Sequence, residues 1–192
     1  MAEPQRCTWC TGSQAEQDYH DREWGVPLRD DDRLFEFFLL DGFQAGLSWK
    51  TILLKRENYR QALFGFDARR LAVCGPAEVN GWMQNPGLIR NRLKLEGAIR
   101  NARAFLRVQE EFGSFSAYLW QFTGNRVADH ALPDHSQMPS ESPESVAMSR
   151  DMRKRGFTFC GPVICYAFMQ AAGLVNDHLT GCFRYREVGL LS

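Results

Sequence analysis

Two cysteines and two histidines stand near the two ends of this 192-residue chain. Cys7 and His20 lie near its beginning, and His178 and Cys182 lie near its end. Two thiols and two imidazoles form a closed tetrahedral ligand set of the kind that structural zinc sites use. His178 and Cys182 are four residues apart, a spacing that places both on one face of a segment if that segment is helical. Such a site would tie together two chain ends that otherwise fray.

Other residues compete for the role of metal ligand. Cys10 completes a Cys-x-x-Cys pair with Cys7, and such a pair could bind metal or be redox active. His130 and His135 each follow an aspartate and form a rival pair, although polar residues in a loop are usually solvated. The thiols and imidazoles at the two ends could also be unrelated. Spacing alone leaves these alternatives open.

Two segments combine tryptophan, glycine and a carboxylate within an apolar helical pattern. They are residues 19–27 and 40–49, and they include Trp24, Asp41 and Trp49. Aromatic faces beside one carboxylate suit a flat cationic ligand, through stacking, cation–π attraction and hydrogen bonding. Taken singly, each residue has an ordinary interpretation, since tryptophans pack in cores and an aspartate can cap a helix. Together they indicate a binding pocket.

A tight turn that contains Gly87 lies between two predicted helices, within residues 82–90. Gly87 would let the backbone approach a ligand closely, and the N–H groups that open the following helix favour an anion. Arg90 comes next, followed by Arg92 and Lys94. These features suit a DNA phosphate, whose contacts orient a protein on the duplex without reading its sequence. An ordinary helical corner with a solvated basic face would show the same pattern.

The elements that must position these residues are helices. A long helix is predicted from Ile89, with Leu93 in its apolar stripe, and residues 124–142 are predicted to form a long loop. The last predicted helix spans about Pro162 to Ala172. Strand-like alternation is scarce, so the expected fold class is all-α. Capping residues and apolar spacing predict further helices that begin near residues 30, 48, 67, 76 and 143. Another short helix is predicted to hold Tyr118, Leu119 and Phe122.

Length and composition indicate one ordinary globular domain that spans residues 1–192. With 44% hydrophobic and 24% charged residues, disordered and low-complexity classes are excluded. The 23 basic side chains balance 23 acidic ones, so any polyanionic partner must be bound by a local patch of charge. The chain has neither a signal-peptide pattern nor an apolar stretch that could span a membrane, so we expect a cytoplasmic protein. Six cysteines in that compartment favour free thiols or metal ligands over disulfides.

Seven motifs resemble those of the 3-methyladenine DNA glycosylase I family, and they run in register from Cys7 to Cys182. They are RCTW at 6–9, YHDREWGVP at 19–27, QAGLSW at 44–49, KRENYR at 55–60, KRGF at 154–157, ICYAFMQA at 164–171 and GLVNDH at 173–178.

The resemblance implies a helix–hairpin–helix DNA glycosylase fold whose termini are joined by one structural zinc ion. The zinc-binding ends would be residues 1–27 and 174–186, and the helix–hairpin–helix would occupy about 76–106. Position by position, the resemblance makes Cys7, His20, His178 and Cys182 the zinc ligands and leaves Cys10 outside the set.

The resemblance also assigns the base pocket and the DNA-facing residues. Tyr19 and Trp49 would line the pocket, with Trp9 and Trp24 near it. Leu47 would lie at the DNA-facing plug, Gly87 would lie in the hairpin, and Arg90 would contact DNA.

Two positions depart from the family pattern. The family's pocket glutamate, which recognises the adenine edge, corresponds to Asp41, whose carboxylate is withdrawn by one methylene, roughly 1.5 Å. A pocket tyrosine corresponds to Glu16, which removes an aromatic wall and brings a second acidic side chain. The reach to a flipped base could therefore be lost or could pass through water.

The implied reaction is hydrolysis of the N-glycosidic bond of an alkylated purine, chiefly N3-methyladenine, in double-stranded DNA after base flipping. Asp41 would be the catalytic carboxylate, and the enzyme would be a monofunctional, monomeric glycosylase without an organic cofactor. Two alternatives remain: a family member with shifted alkyl-base specificity, and a non-catalytic DNA-binding homologue. A redox or metal-handling protein built on Cys7 and Cys10 is a third.

Overall fold

The structure is a computed structural model that describes residues 4–191. Residues 1–3 and 192, which the predicted single domain includes, lie outside the described residues. Within this range the chain forms ten α-helices, and the expectation of a mainly helical protein is confirmed. The helices are α1 Gln14–Arg22, α2 Asp31–Gln44, α3 Trp49–Ala62, α4 Ala68–Ala72, α5 Pro76–Gln84, α6 Arg92–Phe112, α7 Phe115–Trp120, α8 Pro143–Lys154, α9 Pro162–Ala171 and α10 Phe183–Gly189.

Local side chains start several helices where the sequence predicts. The Asp30 carboxylate, the Ser48 hydroxyl and the Asp67 carboxylate each accept a hydrogen bond from a backbone N–H in the first turn of α2, α3 and α4, respectively. Such caps satisfy donors that a helix leaves unpaired at its beginning. The Ser142 hydroxyl opens α8 in the same way, with Pro143 in the first turn.

The long helix α6 begins three residues later than the sequence predicts, at Arg92 instead of Ile89. Asn91 caps this helix, and the residues before it form the turn that follows α5. The prediction that Leu93 belongs to the buried stripe is wrong, because its side chain is 64% exposed. Lys94 is buried instead, and its ammonium group finds carbonyl partners inside the protein.

The predicted long loop, residues 124–142, contains short ordered pieces. Residues 128–129 form strand β1, which pairs in parallel with strand β2, residues 175–176. Ala128 lies opposite Val175 in this two-residue ladder. The structure also adds two helices outside the predicted set, α1 near the beginning of the chain and α10 near its end.

The two ends of the chain meet through close backbone packing. The N–H of Gly25 donates to the carbonyl of Gln170, and the N–H of Leu28 donates to the carbonyl of Ala172. Gly173 has a φ of +69°, and a Cβ at this position would lie 2.4 Å from the carbonyl carbon of Val26. Only glycine fits such a contact, which brings the N-terminal and C-terminal segments together.

Helix α2 lies at the centre of the fold. Every residue from 34 to 43 is buried, since α3, α6, α7 and α9 pack around this helix. Ring contacts such as Phe35 with Phe105 and Phe38 with Phe168 join α2 to its neighbours. The apolar side chains of α2 account for its burial. Asp41 is carried into the interior with them.

Candidate active site and metal cluster

The two cysteines and two histidines at the chain ends converge on one point. The ligand atoms of Cys7, His20, His178 and Cys182 all lie within 4.8 Å of one another, and all four residues are buried. The distance from the Cys182 sulfur to His20 Nε2 is 3.4 Å, and the distances from both sulfurs to His178 Nδ1 are 3.7 Å. These four residues could hold a metal ion.

The second nitrogen of each imidazole has a partner of its own. His20 Nδ1 lies 2.8 Å from the Asp21 carboxylate, and His178 Nε2 lies 3.0 Å from the Trp24 carbonyl. Both partners accept hydrogen bonds, and the other nitrogen of each ring lies on the side of the two sulfurs. Metal-binding histidines are oriented by contacts of this kind. A hydrogen bond from Cys7 lowers the pKa of the Cys182 thiol, which favours the thiolate that binds metals.

The structure shows that one ligand pair does not lie on a helix. Residues 178–182 form turns, and Cys182 is the residue that precedes α10, so His178 and Cys182 meet without a shared helix face. Cys10 lies outside the four-residue group, and its thiol donates to the Cys7 carbonyl at 3.1 Å. Burial raises the pKa of Cys10 to about 11, so this thiol stays protonated at neutral pH.

A cavity of about 310 Å³ opens beside the cluster. All six residues that the sequence predicts for the base pocket line it. The sequence analysis does not assign the other six lining residues to the pocket, although Gln44, Ala167, Gln170 and Ala171 lie inside the quoted motifs. The twelve lining residues are Trp9, Glu16, Tyr19, Trp24, Asp41, Gln44, Trp49, His135, Met138, Ala167, Gln170 and Ala171.

Asp41 is the most unusual polar residue of this cavity. Helix α2 holds it in the interior, where it is 3% exposed. Its Oδ2 atom is buried and has no hydrogen-bond partner among the described residues. Burial raises the pKa of the Asp41 carboxyl well above its ordinary value, because the charged form loses its hydration. An unpartnered carboxyl in an aromatic cavity is costly unless a ligand completes it.

Two indole N–H groups of the cavity residues are also unpaired. The Nε1 atoms of Trp9 and Trp49 are buried and lack a hydrogen-bond partner among the described residues. The ring centroids of Tyr19 and Trp49 are 5.1 Å apart, and those of Trp9 and Trp24 are also 5.1 Å apart. The cavity therefore combines aromatic walls with one acceptor and two donors that a ligand could use.

Glu16 lies on the same side of α1 as Tyr19, one helical turn before it. Its Oε2 accepts a hydrogen bond from the Ser13 hydroxyl at 2.7 Å. Because Ser13 caps α1, this contact fixes the glutamate at the wall of the cavity. The cavity thus carries two acidic side chains, one deep in the core and one partly exposed.

Residues 45–48 form the plug turn, which links α2 to α3. Gly46 adopts a φ of +80°, and Leu47 is 40% exposed at the tip of the turn. Lys94 lies beneath it, 7% exposed, and donates to the carbonyls of Phe43 and Ala45 at 2.8 and 2.6 Å. The turn therefore presents an apolar side chain outward, between Asp41 on one side and Trp49 on the other.

Residues 85–91 form the hairpin turn, which links α5 to α6. The Asn85 side chain accepts from the Gly87 N–H, and a Cβ on Gly87 would lie 3.0 Å from atoms of both Asn58 and Asn85. The Ile89 N–H donates to the Tyr59 hydroxyl. Arg90 is exposed, as a phosphate contact requires. The predicted turn with Gly87 is thus present and is supported from α3.

Comparisons with known proteins agree with this arrangement. The sequence profile of the family described as methyladenine glycosylase matches residues 9–185. The chain belongs to the methyladenine glycosylase family.

The chain is 44% identical to the DNA-3-methyladenine glycosylase of Haemophilus influenzae. The match covers 92% of this chain and 96% of that relative. DNA-3-methyladenine glycosylase 1 of Escherichia coli is 42% identical and covers 94% of this chain and 97% of its own.

Solved structures of methyladenine glycosylases share the fold. A crystal structure of 3-methyladenine DNA glycosylase I superposes with a TM-score of 0.91 at 45% identity and covers 93% of this chain and 98% of its own. The Staphylococcus aureus enzyme, solved to explain 3-methyladenine recognition, superposes with a TM-score of 0.90 at 33% identity. The match covers 93% of this chain and 95% of that one.

None of the helices in residues 4–191 is long and apolar enough to cross a membrane.

Proposed function

We propose that this protein is a DNA-repair glycosylase that releases N3-methyladenine from alkylated double-stranded DNA. The relatives that it matches over nearly their whole length carry this activity in their names. The observation that carries the proposal within the structure is the cavity in which Asp41, Trp9 and Trp49 each keep a buried polar atom that has no hydrogen-bond partner within residues 4–191. A flipped base would complete all three.

The chemistry asks more for binding than for activation. N3-methyladenine in DNA carries a positive charge, so it leaves the sugar as a neutral base that takes the electron pair of the N-glycosidic bond. Water adds to the sugar carbon and releases a proton, which leaves an abasic site. Flipping costs a few kcal/mol, least for a damaged base. Binding in the cavity would offset this cost.

Asp41 would recognise the base through its charge and its acceptor oxygens. The ionised carboxylate accepts a hydrogen from the exocyclic amino group and attracts the cationic ring. Because burial raises its pKa, the free protein holds this group closer to protonation than an exposed aspartate. Entry of the cation favours the charged form again. The carboxylate thus distinguishes a charged base from a neutral one.

The aromatic residues would hold the plane of the base. Tyr19 and Trp49 stack against or contact it, and Trp9 and Trp24 close the side of the cavity nearest the metal cluster. Glu16 stands where the family pattern has a tyrosine, so it would supply a second negative charge for a cationic base.

The DNA backbone would lie across the hairpin turn and the plug turn. Gly87 allows a close approach of the backbone to a phosphate, and Arg90 adds a positive charge beside it. Leu47 would fill the gap that the flipped nucleotide leaves in the base stack. Its exposure at the tip of the plug turn supports this role.

The buried cluster would hold one structural zinc ion. Tetrahedral zinc with its usual bond lengths places a sulfur and a nitrogen ligand roughly 3.6 Å apart. The sulfur–nitrogen distances here, 3.4 to 3.7 Å, fit that value. The ion would link α1 to the segment before α10 and stabilise the closure of the chain ends.

Single-turnover incubation with N-methylated duplex DNA tests the activity, with free 3-methyladenine and 7-methylguanine quantified separately. Release of 3-methyladenine would confirm the proposal. Release of 7-methylguanine alone would favour a shifted specificity, to which the shorter Asp41 and the acidic Glu16 point. Tight binding of methylated duplex without release of either base would show a non-catalytic homologue.

A further inference from the structure

The hairpin turn and the plug turn are joined by two lysines that cross between them. Lys94 follows the hairpin turn in the chain, and its ammonium group donates to the carbonyls of Phe43 and Ala45 at the plug turn. Lys55 follows the plug turn, and its ammonium group donates to the carbonyls of Pro86 and Gly87, at 3.2 and 3.1 Å. Each lysine thus stands on the helix that leaves one turn and holds the backbone of the other.

Lysine is rare in this chain, and each of these two lysines contacts two carbonyl groups. The chain has four lysines among its 23 basic residues, and two of them make this crossed arrangement. A lysine ammonium is compact and has three donors, so it can satisfy two neighbouring carbonyls, whereas the planar guanidinium of arginine is larger. The Lys94 side chain, which comes from α6, is almost fully buried, and its ammonium group lies at the C-terminal end of α2. A cation suits the partial negative charge at that end of a helix.

Aromatic packing strengthens the same connection. The rings of Phe43 and Tyr59 are stacked with centroids 4.4 Å apart and an angle of 9° between their planes. The Tyr59 hydroxyl accepts from the Ile89 N–H of the hairpin turn. Asn58 donates to the Gly87 carbonyl at 3.4 Å. The contacts therefore run from the last turn of α2, through α3, to the hairpin turn.

We propose that Lys94 and Lys55 are positioning residues that join the hairpin turn and the plug turn into one rigid unit. The hairpin turn would hold the DNA backbone, and the plug turn would open the base stack. Lys94 holds the carbonyls of Phe43 and Ala45, and Leu47 follows Ala45 by two residues in the plug turn. Lys55 holds the carbonyls of Pro86 and Gly87, so it fixes the hairpin turn against α3. The inference rests on the proposed glycosylase function, because it concerns how a grip on DNA is converted into an open base stack.

Four lysine variants test the proposal: Lys94→Met, Lys55→Met and, as controls that also remove one charge, Lys50→Met and Lys154→Met. Lys50 and Lys154 are exposed. We expect Lys94→Met to slow single-turnover release of 3-methyladenine by about tenfold or more while affinity for undamaged duplex changes by less than about threefold. Lys55→Met should weaken that affinity by roughly three- to tenfold at every salt concentration, with the slope against salt unchanged. Lys154→Met should behave as the wild type.

The salt slope separates positioning from simple attraction. A lysine that only contacts a phosphate lowers the slope by about one when it is removed. A change of that size for Lys55→Met, or a loss of release by Lys50→Met equal to that by Lys94→Met, would overturn the proposal. Lys94→Gln, which keeps one donor, should fall between Lys94→Met and the wild type, and it replaces Lys94→Met if that variant does not fold.

A double-mutant cycle with Leu47→Ala asks whether Lys94 acts through the plug turn. If it does, Lys94→Met should have less than about a threefold effect on release once Leu47 is removed, whereas additive effects would contradict the proposal. A duplex with 2-aminopurine beside an abasic analogue reports the opening of the stack by fluorescence without any base release. Wild-type protein that opens the stack but releases no base would overturn the proposed function alone, whereas equal opening by Lys94→Met would overturn the crossed-lysine proposal.

Discussion

The metal cluster and the base cavity lie side by side, yet their polar atoms are treated in opposite ways. In the cluster each imidazole is oriented by an acceptor, Asp21 or Trp24, and its other nitrogen faces two sulfurs. In the cavity, Asp41, Trp9 and Trp49 each keep a buried polar atom without a partner among the described residues. The polar atoms of the cluster are therefore satisfied within the protein, whereas these three polar atoms of the cavity are available to a ligand.

The two regions are built from neighbouring residues. Tyr19 faces the cavity and His20, the next residue of α1, faces the cluster. Trp24 lines the cavity, stacks over His20 with ring centroids 6.1 Å apart, and offers its carbonyl to His178. A change in the cluster can therefore reach the cavity through one aromatic layer.

The largest expected effect follows from breaking the cluster with Cys182→Ser. Loss of one thiolate should abolish stoichiometric zinc in the purified protein, and it should lower the melting temperature by about 10 °C or more. Plasma emission spectrometry and a thermal melt measure the two quantities. Cys10→Ser is the matched control, because Cys10 is equally buried but outside the ligand group, and it should keep its zinc. Full zinc in Cys182→Ser would contradict the assignment.

The next largest effect concerns the charge of the cavity. Asp41→Asn keeps the shape but loses the carboxylate, so release of 3-methyladenine should fall by about 10- to 100-fold, as for the loss of one charge-assisted hydrogen bond. Single-turnover rates at saturating enzyme measure this. Asp41→Glu, which keeps the charge and restores the family side chain, should stay within a few-fold of the wild type or exceed it. Unchanged release by Asp41→Asn would remove the carboxylate from the mechanism.

The variant Asp41→Asn should also change how the free energy of unfolding depends on pH. The folded-state pKa of Asp41 is raised, so its contribution to stability is present at pH below the unfolded pKa and is lost as pH rises through the folded value. At pH 8 Asp41→Asn should therefore be more stable than the wild type, by roughly 1–2 kcal/mol. The gap should narrow toward pH 4. Urea titrations across this range measure it, and a gap that widens on acidification would have the wrong sign.

The smallest expected effect belongs to the partly exposed carboxylate of the cavity. Glu16→Gln keeps the contact with Ser13 within reach but removes a charge that solvent partly screens, so release of the cationic base should fall only about threefold. Glu16→Tyr restores the aromatic wall of the family pattern. If Glu16 selects for positive charge, Glu16→Gln should lose more on 3-methyladenine than on a neutral lesion such as hypoxanthine, and equal losses on both bases would argue against that role.

Much of this architecture is legible in the chain because the signals are local. The Asp30, Ser48 and Asp67 caps begin their helices where the sequence predicts, since a cap depends on residues only a few positions away. The resemblance to a known family implies six pocket residues and four cluster residues, and the structure brings the members of each set together. Their proposed roles with a base, DNA and zinc stay predictions.

The errors of prediction lie where distant contacts decide. Leu93 was expected to be buried and is exposed, because Lys94 turns inward to carbonyls about 50 positions earlier in the chain. The spacing of His178 and Cys182 would place them on one face only in a helix, whereas the structure brings them together without one. The spacing of apolar residues along the chain cannot predict a lysine that caps another helix. Nor can it predict a thiol that contacts a histidine more than 160 residues away.

The amino-acid sequence alone determined the helical class and the positions of most helix starts, because each depends on side-chain type and short spacing. The residues of the pocket and the choice among candidate metal ligands came from the resemblance to a known family. Only the tertiary structure decided that an Asp41 oxygen and two indole N–H groups of the same cavity lack hydrogen-bond partners in the part of the chain that the structure describes. It also decided that Lys55 and Lys94 cross between two turns. Burial and hydrogen-bond satisfaction are properties of the packed chain, since they depend on which distant groups exclude water from a given atom.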